Sequence, residues 1–224
     1  RAKVLPERLE SGKPWFKSVH LLVPELWEIA RHPAILDRVR SILGPDVVWW
    51  GTAITRKGPG DIHGWHIDSE YTHHRDGLLL FLGLDNLTPE AALKTITRTH
   101  HLHCSPVAHA EGTWRGIEGS PTLSDEEKVL AIAQKLDARA ELKSPKMFTG
   151  DFFIAHGHSW HGSKNRSDRI RTSAVFSFGP PDVDVQIPIS FTADPVFYEK
   201  RPSCAMLCGT QSATMLNPIV EPPT

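Results

Sequence analysis

A histidine and an aspartate stand two residues apart in Gly64-Trp65-His66-Ile67-Asp68-Ser69-Glu70. Side chains at i and i+2 of a β-strand leave the same face, so the imidazole of His66 and the carboxylate of Asp68 could grip one metal ion. Two histidines and a carboxylate on one face of the ion are the ligand set of non-haem Fe(II) oxygenases, which keeps positions open for a co-substrate and oxygen. The pair alone is a weak signal, because a strand end making ordinary hydrogen bonds has the same look. A third ligand has to come from elsewhere. The segment His156-Gly157-His158-Ser159-Trp160-His161-Gly162-Ser163-Lys164-Asn165 offers His156, His158 and His161. Of the 13 histidines, 11 fall between His63 and His161, so ligand chemistry is concentrated in mid-chain.

An oxygenase that uses 2-oxoglutarate chelates the acid to iron by its keto and C1 carboxylate groups and needs a fixed cation for the far carboxylate. Arginine suits that task because its planar guanidinium donates two parallel hydrogen bonds to a carboxylate. Arg171 opens an apolar-polar alternating stretch ten residues after His161. Ser173, two residues further and on the same strand face, could add a hydroxyl.

These residues need a scaffold. Pro24 to Arg31 and Pro33 to Leu43 read as two helices, the second with Ile35, Leu36, Val39, Ile42 and Leu43 on one stripe and Gly44 as its stop. Strands are expected at Val47–Thr55, Gly77–Leu84, Ala92–Thr97, Phe152–Ala155, Arg171–Phe178 and Val183–Ile189, from their β-branched, aromatic and alternating content. Lys57-Gly58-Pro59-Gly60 and Gly150-Asp151 read as turns. Thr99 to Thr122 is an irregular, histidine-rich loop of the length usual for a functional segment. Ser124 and Glu127 have capping-box spacing ahead of a helix to about Ala140. Many short strands with two helical inserts point to a double-sheeted barrel rather than a doubly wound α/β fold.

The totals exclude several classes. The 224 residues with 25 basic and 26 acidic side chains give a formal net charge of −1, which lacks the basic face of a nucleic-acid binder. No apolar run reaches the ~18 residues of a membrane span. Cys104, Cys204 and Cys208 make no disulfide framework, so a cytoplasmic location is expected. The expected organisation is one domain, with a helical part over 1–45, a strand-built core over about 46–190 and a tail over 191–224.

Taken in order, His66-x-Asp68, Gly150-Asp151-Phe152, His161-Gly162-Ser163, Asn165 and Arg171 resemble the phytanoyl-CoA dioxygenase family of Fe(II)/2-oxoglutarate-dependent oxygenases. The resemblance runs from about Pro33 to Phe178. It implies a mainly β double-stranded β-helix, a cupin-like jelly roll with flanking helices. It also implies iron held by His66, Asp68 and His161, with 2-oxoglutarate anchored by Arg171 and aided by Ser173. His161 is preferred over His156 and His158 because the Gly-Ser and Asn of the family motif follow only this histidine. Thr97-Arg98-Thr99-His100 departs from the Pro-Gly-Ser-His turn usual in the family.

Halogenating relatives carry a small residue where this chain has Asp68, so the resemblance implies hydroxylation, with Fe(II) as the cofactor, 2-oxoglutarate and O2 consumed, and succinate and CO2 released. The expected substrate is a small, anionic metabolite such as an amino-acid derivative or natural-product intermediate, with no nucleic-acid or membrane partner. Arg56, Arg75, Arg98 and Arg115 are candidates for its anionic group, and Trp65, Tyr71, Trp114 and Trp160 for an apolar lining. His73, His74, His100, His101 and His103 read as exposed loop residues rather than a second metal site. Two other classes use the same residue types: a non-catalytic metal-binding cupin-like module, which Arg171 disfavours, and a zinc-dependent hydrolase, for which no general base stands at a defined spacing.

Overall fold

The computed structural model describes residues 17–68, 72, 76–106, 125–186 and 201–222. Proline at the first turn starts both N-terminal helices, α1 (Pro24–Ala30) and α2 (Pro33–Leu43). Gly44 ends α2 at φ +98°, a left-handed conformation that glycine adopts without a Cβ penalty. The buried stripe Leu26, Trp27 and Ala30 of α1 with Ile35 and Val39 of α2 lies against one sheet.

That sheet has five antiparallel strands in the order β6 (Phe152–His156), β3 (Leu78–Asp85), β8 (Arg171–Gly179), β1 (Val47–Lys57) and β9 (Ala205–Cys208). A second sheet orders β2 (Ile62–His66), β7 (His161–Lys164), β4 (Lys94–Ile96) and β5 (Leu142–Lys143). The apolar run of β3 is buried on both faces, as a central strand covered by helices on one side and a second sheet on the other must be. Leu78, Leu80 and Leu82 join Ala174, Phe176 and Phe178 of β8 under the helices, while Leu79 and Phe81 pack with Leu87, Leu93 and Met147 on the opposite face. Each leucine, phenylalanine and methionine among them contributes about 1.5–3 kcal/mol on burial.

The second sheet has its own cover. Helix α3 (Glu126–Leu136) lays Val129 and Ala133 over Trp65, Ile67, Ile96 and Trp160. The architecture is mainly β, two antiparallel sheets in a jelly-roll arrangement with helices outside. No described helix is long and apolar enough to cross a membrane.

Several local expectations are corrected. Asp125 rather than Ser124 caps α3, its carboxylate accepting from Glu127 N and Lys128 N at 3.0 and 3.2 Å; Ser124 lies outside the described residues. The helix ends at Leu136, because Asp137 has left helical dihedrals at φ −143° and ψ 109°. Pro89–Ala91 forms a 3-10 turn and leaves only Lys94–Ile96 as strand. Residues 183–186 are irregular, held by Asn217, whose side-chain oxygen accepts from Val185 N at 2.8 Å and whose amide donates to Val185 O at 2.9 Å. Past residue 200 the chain is no loose tail. Ala205–Cys208 adds the edge strand β9 to β1, and Val220 N donates to Cys204 O at 2.9 Å. The three cysteines are free thiols.

Candidate metal and co-substrate site

Strand alternation produces the site. Trp65 and Ile67 go under α3, which turns His66 and Asp68 to the inner side. On β7, His161 and Ser163 share the inner face, and Gly162 between them faces Trp65: a Cβ there would stand 3.1 Å from the indole and 3.2 Å from His63 O. A side chain at this position would have to push the indole or the His63 carbonyl back by a few tenths of an ångström, so glycine favours the close approach of β2 and β7. Their antiparallel register puts His66 opposite His161, with ring centroids 4.2 Å apart. Ligand atoms of His66, Asp68 and His161 all lie within 4.8 Å of one another.

Both imidazoles are oriented the same way. His66 Nδ1 contacts Gly64 O at 2.7 Å, and His161 Nδ1 contacts Ser159 O at 2.9 Å. A carbonyl acceptor holds the proton on Nδ1 and leaves the Nε2 lone pair for a metal. Burial, then neighbouring positive charge, holds His66 well below its ordinary pKa, and burial lowers His161 as well. Both are therefore neutral donors near pH 7.

Asp68 is 5% exposed, and its backbone N–H is fixed on Gly157 O at 3.0 Å. Burial alone would raise its carboxyl pKa, but Lys17 above all, with His161 and His66, carries it below the usual carboxylate range. Lys17 Nζ lies 2.8 Å from Asp68 Oδ1. Asp68 Oδ2 is buried and has no hydrogen-bond partner. An orphaned carboxylate oxygen beside two neutral imidazoles fits a divalent cation, taken by Oδ2 while Lys17 steadies Oδ1.

The second half of the site is Arg171, 2% exposed at the start of β8. Its Nη1 donates to Ser173 Oγ at 2.8 Å and its Nη2 to Ser163 Oγ at 2.7 Å, while Nε is buried with no partner. Ser173 Oγ stands 2.8 Å from Thr55 Oγ1 on the neighbouring strand. Burial pushes the guanidinium pKa down to about 10, and among the described residues no carboxylate offsets it, so this cation fits a small-molecule anion. Ser163 lies two residues along β7 from His161, about 7 Å of strand, which suits a short dicarboxylate held by metal at one end and guanidinium at the other.

The five residues singled out from sequence, His66, Asp68, His161, Arg171 and Ser173, thus gather on the inner faces of β2, β7 and β8 and the residues just past β2. His156 and His158 stand apart, in a group with Asp76. Lys17 and Ser163 were missed as site residues. Ser163 follows from the i+2 rule once His161 is accepted, whereas Lys17 sits 51 residues from its partner with no local signal; a bridge from Ser18 to Thr52 carries it in. Trp65 and Trp160 pack under α3 rather than line a pocket, and Arg98 is paired with Asp137 at 2.5 Å. Arg56 is exposed and alternates with Thr55, so it leaves the opposite face of β1. Tyr71, His73, His74, Arg75, Trp114 and Arg115 lie outside the described residues.

A jelly roll with a two-histidine, one-carboxylate cluster and a buried anion-seeking arginine defines a cupin-like oxygenase class. The family model described as Phytanoyl-CoA dioxygenase (PhyH) matches residues 11–173, and the chain belongs to that family of Fe(II)-, 2-oxoglutarate- and O2-dependent oxygenases. Among solved structures it is similar to the apo non-heme monooxygenase ThoJ, at TM-score 0.63 and 20% identity over 93% of this chain and 70% of that one. EctD from S. alaskensis with 2-oxoglutarate and 5-hydroxyectoine aligns at TM-score 0.58 and 19% identity, covering 90% and 66%. The non-heme alpha ketoglutarate dependent epimerase SnoN from nogalamycin biosynthesis aligns at 0.56 and 14%, covering 83% and 69%. At these identities the likeness establishes the fold. No significant match among curated proteins was found.

Proposed function

We propose that the protein hydroxylates an unactivated C–H bond of a small anionic metabolite, an amino-acid derivative or natural-product intermediate, with His66, Asp68 and His161 as iron ligands and Arg171 as the 2-oxoglutarate anchor. The observation that carries the reading is the buried, unpartnered Oδ2 of Asp68 beside two Nδ1-anchored imidazoles. When bound, iron with 2-oxoglutarate and O2 supplies oxidative decarboxylation to succinate and CO2 and delivery of an oxygen atom. The chain's residues do the rest by placement. His66 and His161 offer neutral Nε2 donors, and Asp68 occupies the position a halogenase leaves open for chloride. Arg171, braced by Ser163 and Ser173, takes the far carboxylate of the co-substrate. Phe81, whose ring centroid lies 5.2 Å from the Arg171 guanidinium carbon, packs with Leu79 and supplies apolar surface beside that anchor. Lys57, on the same β1 face as Thr55 and close enough to His63 to help depress its pKa, is the described cation suited to an anionic substrate group.

The test is succinate formation from protein, Fe(II), 2-oxoglutarate and a library of small acids under air, with product masses read alongside. Substrate-dependent succinate with a product one oxygen heavier is the expected result. Succinate without a mass change would assign epimerisation, the activity named for SnoN. No stimulation above an Asp68→Ala control by any acid or cell extract refutes the proposal.

A further inference from the structure

A second cluster of ligating side chains lies outside this site. Pairing of Leu78 with His156 across β3 and β6 brings Asp76, just before β3, to the end of β6, and the turn after β6 returns His158 to the same place. His156 Nε2 is 3.4 Å and His158 Nδ1 3.8 Å from Asp76 Oδ1, and the three ligand atoms all lie within 4.8 Å of one another. Donors around a tetrahedral zinc ion, with bonds of 2.0–2.1 Å, stand roughly 3.3 Å apart. Two of the three separations are thus near the bound value before any ion enters. The third closes by rotation of the His156 ring, whose side chain is 30% exposed, while His158 is fully buried and sets the anchor.

We infer that Asp76, His156 and His158 form a second site, separate from His66, Asp68 and His161, for a divalent transition-metal ion of the zinc class. Two imidazoles and one carboxylate suit zinc and its neighbours better than calcium or magnesium, which prefer all-oxygen shells. The fourth position lies beside further imidazoles: the His103 ring centroid is 4.7 Å from that of His158, and the His100 centroid 5.4 Å from that of His156. Ligation through Nε2 moves the His156 ring proton to Nδ1 and gives up the 3.2 Å hydrogen bond from His158 N, a small loss against a metal bond. Gly157, between the two histidines, donates to Gly77 O at 2.8 Å and accepts from Asp68 N at 3.0 Å. An ion here therefore pins the turn that holds the backbone of Asp68.

The experiment is a Zn2+ titration of the whole metal-free chain against a chromophoric chelator, with circular dichroism as the folding check. Wild type is expected to take up two tight equivalents, Asp68→Ala one, Asp76→Asn/His156→Gln one, and the triple variant none. Addition of Zn2+ should raise the melting temperature of Asp68→Ala but not of the triple variant. Asp76 is exposed and His156 lies at the rim, so these changes leave the core intact, and the retained first equivalent reports it. A single tight equivalent in wild type, or a second that survives Asp76→Asn/His156→Gln, overturns the inference. Two equivalents in Asp68→Ala would instead sink the iron-site reading and leave this one standing.

Discussion

Replacing Arg171 by methionine separates anion capture from folding. The guanidinium is 2% exposed, donates to Ser163 and Ser173 at 2.7 and 2.8 Å, and keeps Nε unpaired. Removing one partner of a buried charge pair costs about 2–5 kcal/mol, so the 2-oxoglutarate KM should rise by roughly 30- to 4,000-fold. Stability should move the other way when the co-substrate is absent. Burial lowers the arginine pKa from 12.5 to about 10, which corresponds to a desolvation cost of about 3 kcal/mol. Below pH 10 the group is charged in both the folded and unfolded chain, so this penalty is present throughout the ordinary range and the variant escapes it. The assay is thermal melting with Fe(II) replaced by an inert divalent ion, with and without 2-oxoglutarate. At 100 times Kd, wild type should gain about 2.7 kcal/mol, or roughly 5–10 °C for a chain of this length. Arg171→Met should melt no lower than wild type alone and gain nothing at that concentration. A variant that keeps the wild-type shift refutes the assignment of Arg171 as anchor.

Other perturbations follow the same logic. Asp68→Ala should weaken metal binding by more than about 100-fold, read by calorimetry, and adding Lys17→Met should restore none of it. Gly162→Ala forces a methyl against Trp65 and His63 O, so denaturant unfolding should show a loss of about 1–3 kcal/mol together with weaker metal uptake as β2 and β7 part. His20, buried against Trp49, is pushed by burial from 6.5 down to about 4, so it folds neutral. The unfolded chain then binds the extra proton as pH drops from about 6.5 to 4, and stability should fall by about 3 kcal/mol over that window. In His20→Phe the acid slope should flatten; an unchanged slope places the sensitivity elsewhere.

What the sequence by itself determined was local and periodic. That His66 and Asp68, Arg171 and Ser173, and Trp65 and Ile67 share a face follows from strand alternation alone, while the starts of α1 and α2 follow from proline at the first helical turn and the β3 strand from its apolar run. The ordered constellation of His66, Asp68, His161 and Arg171 was enough to name the family. Pairing across long separations was decided only in three dimensions. Nothing in a stretch around Lys17 announces that it will meet Asp68, and four residues at Ala205–Cys208 are too short a pattern to distinguish an edge strand from a tail. The choice of His161 over His156 and His158 was legible in the Gly-Ser and Asn that follow it, but where the other two histidines go was not. Register places His161 across from His66 and sends His156 and His158 to Asp76, because a strand's hydrogen-bonded partner, rather than its own sequence, fixes which side chains share a point in space.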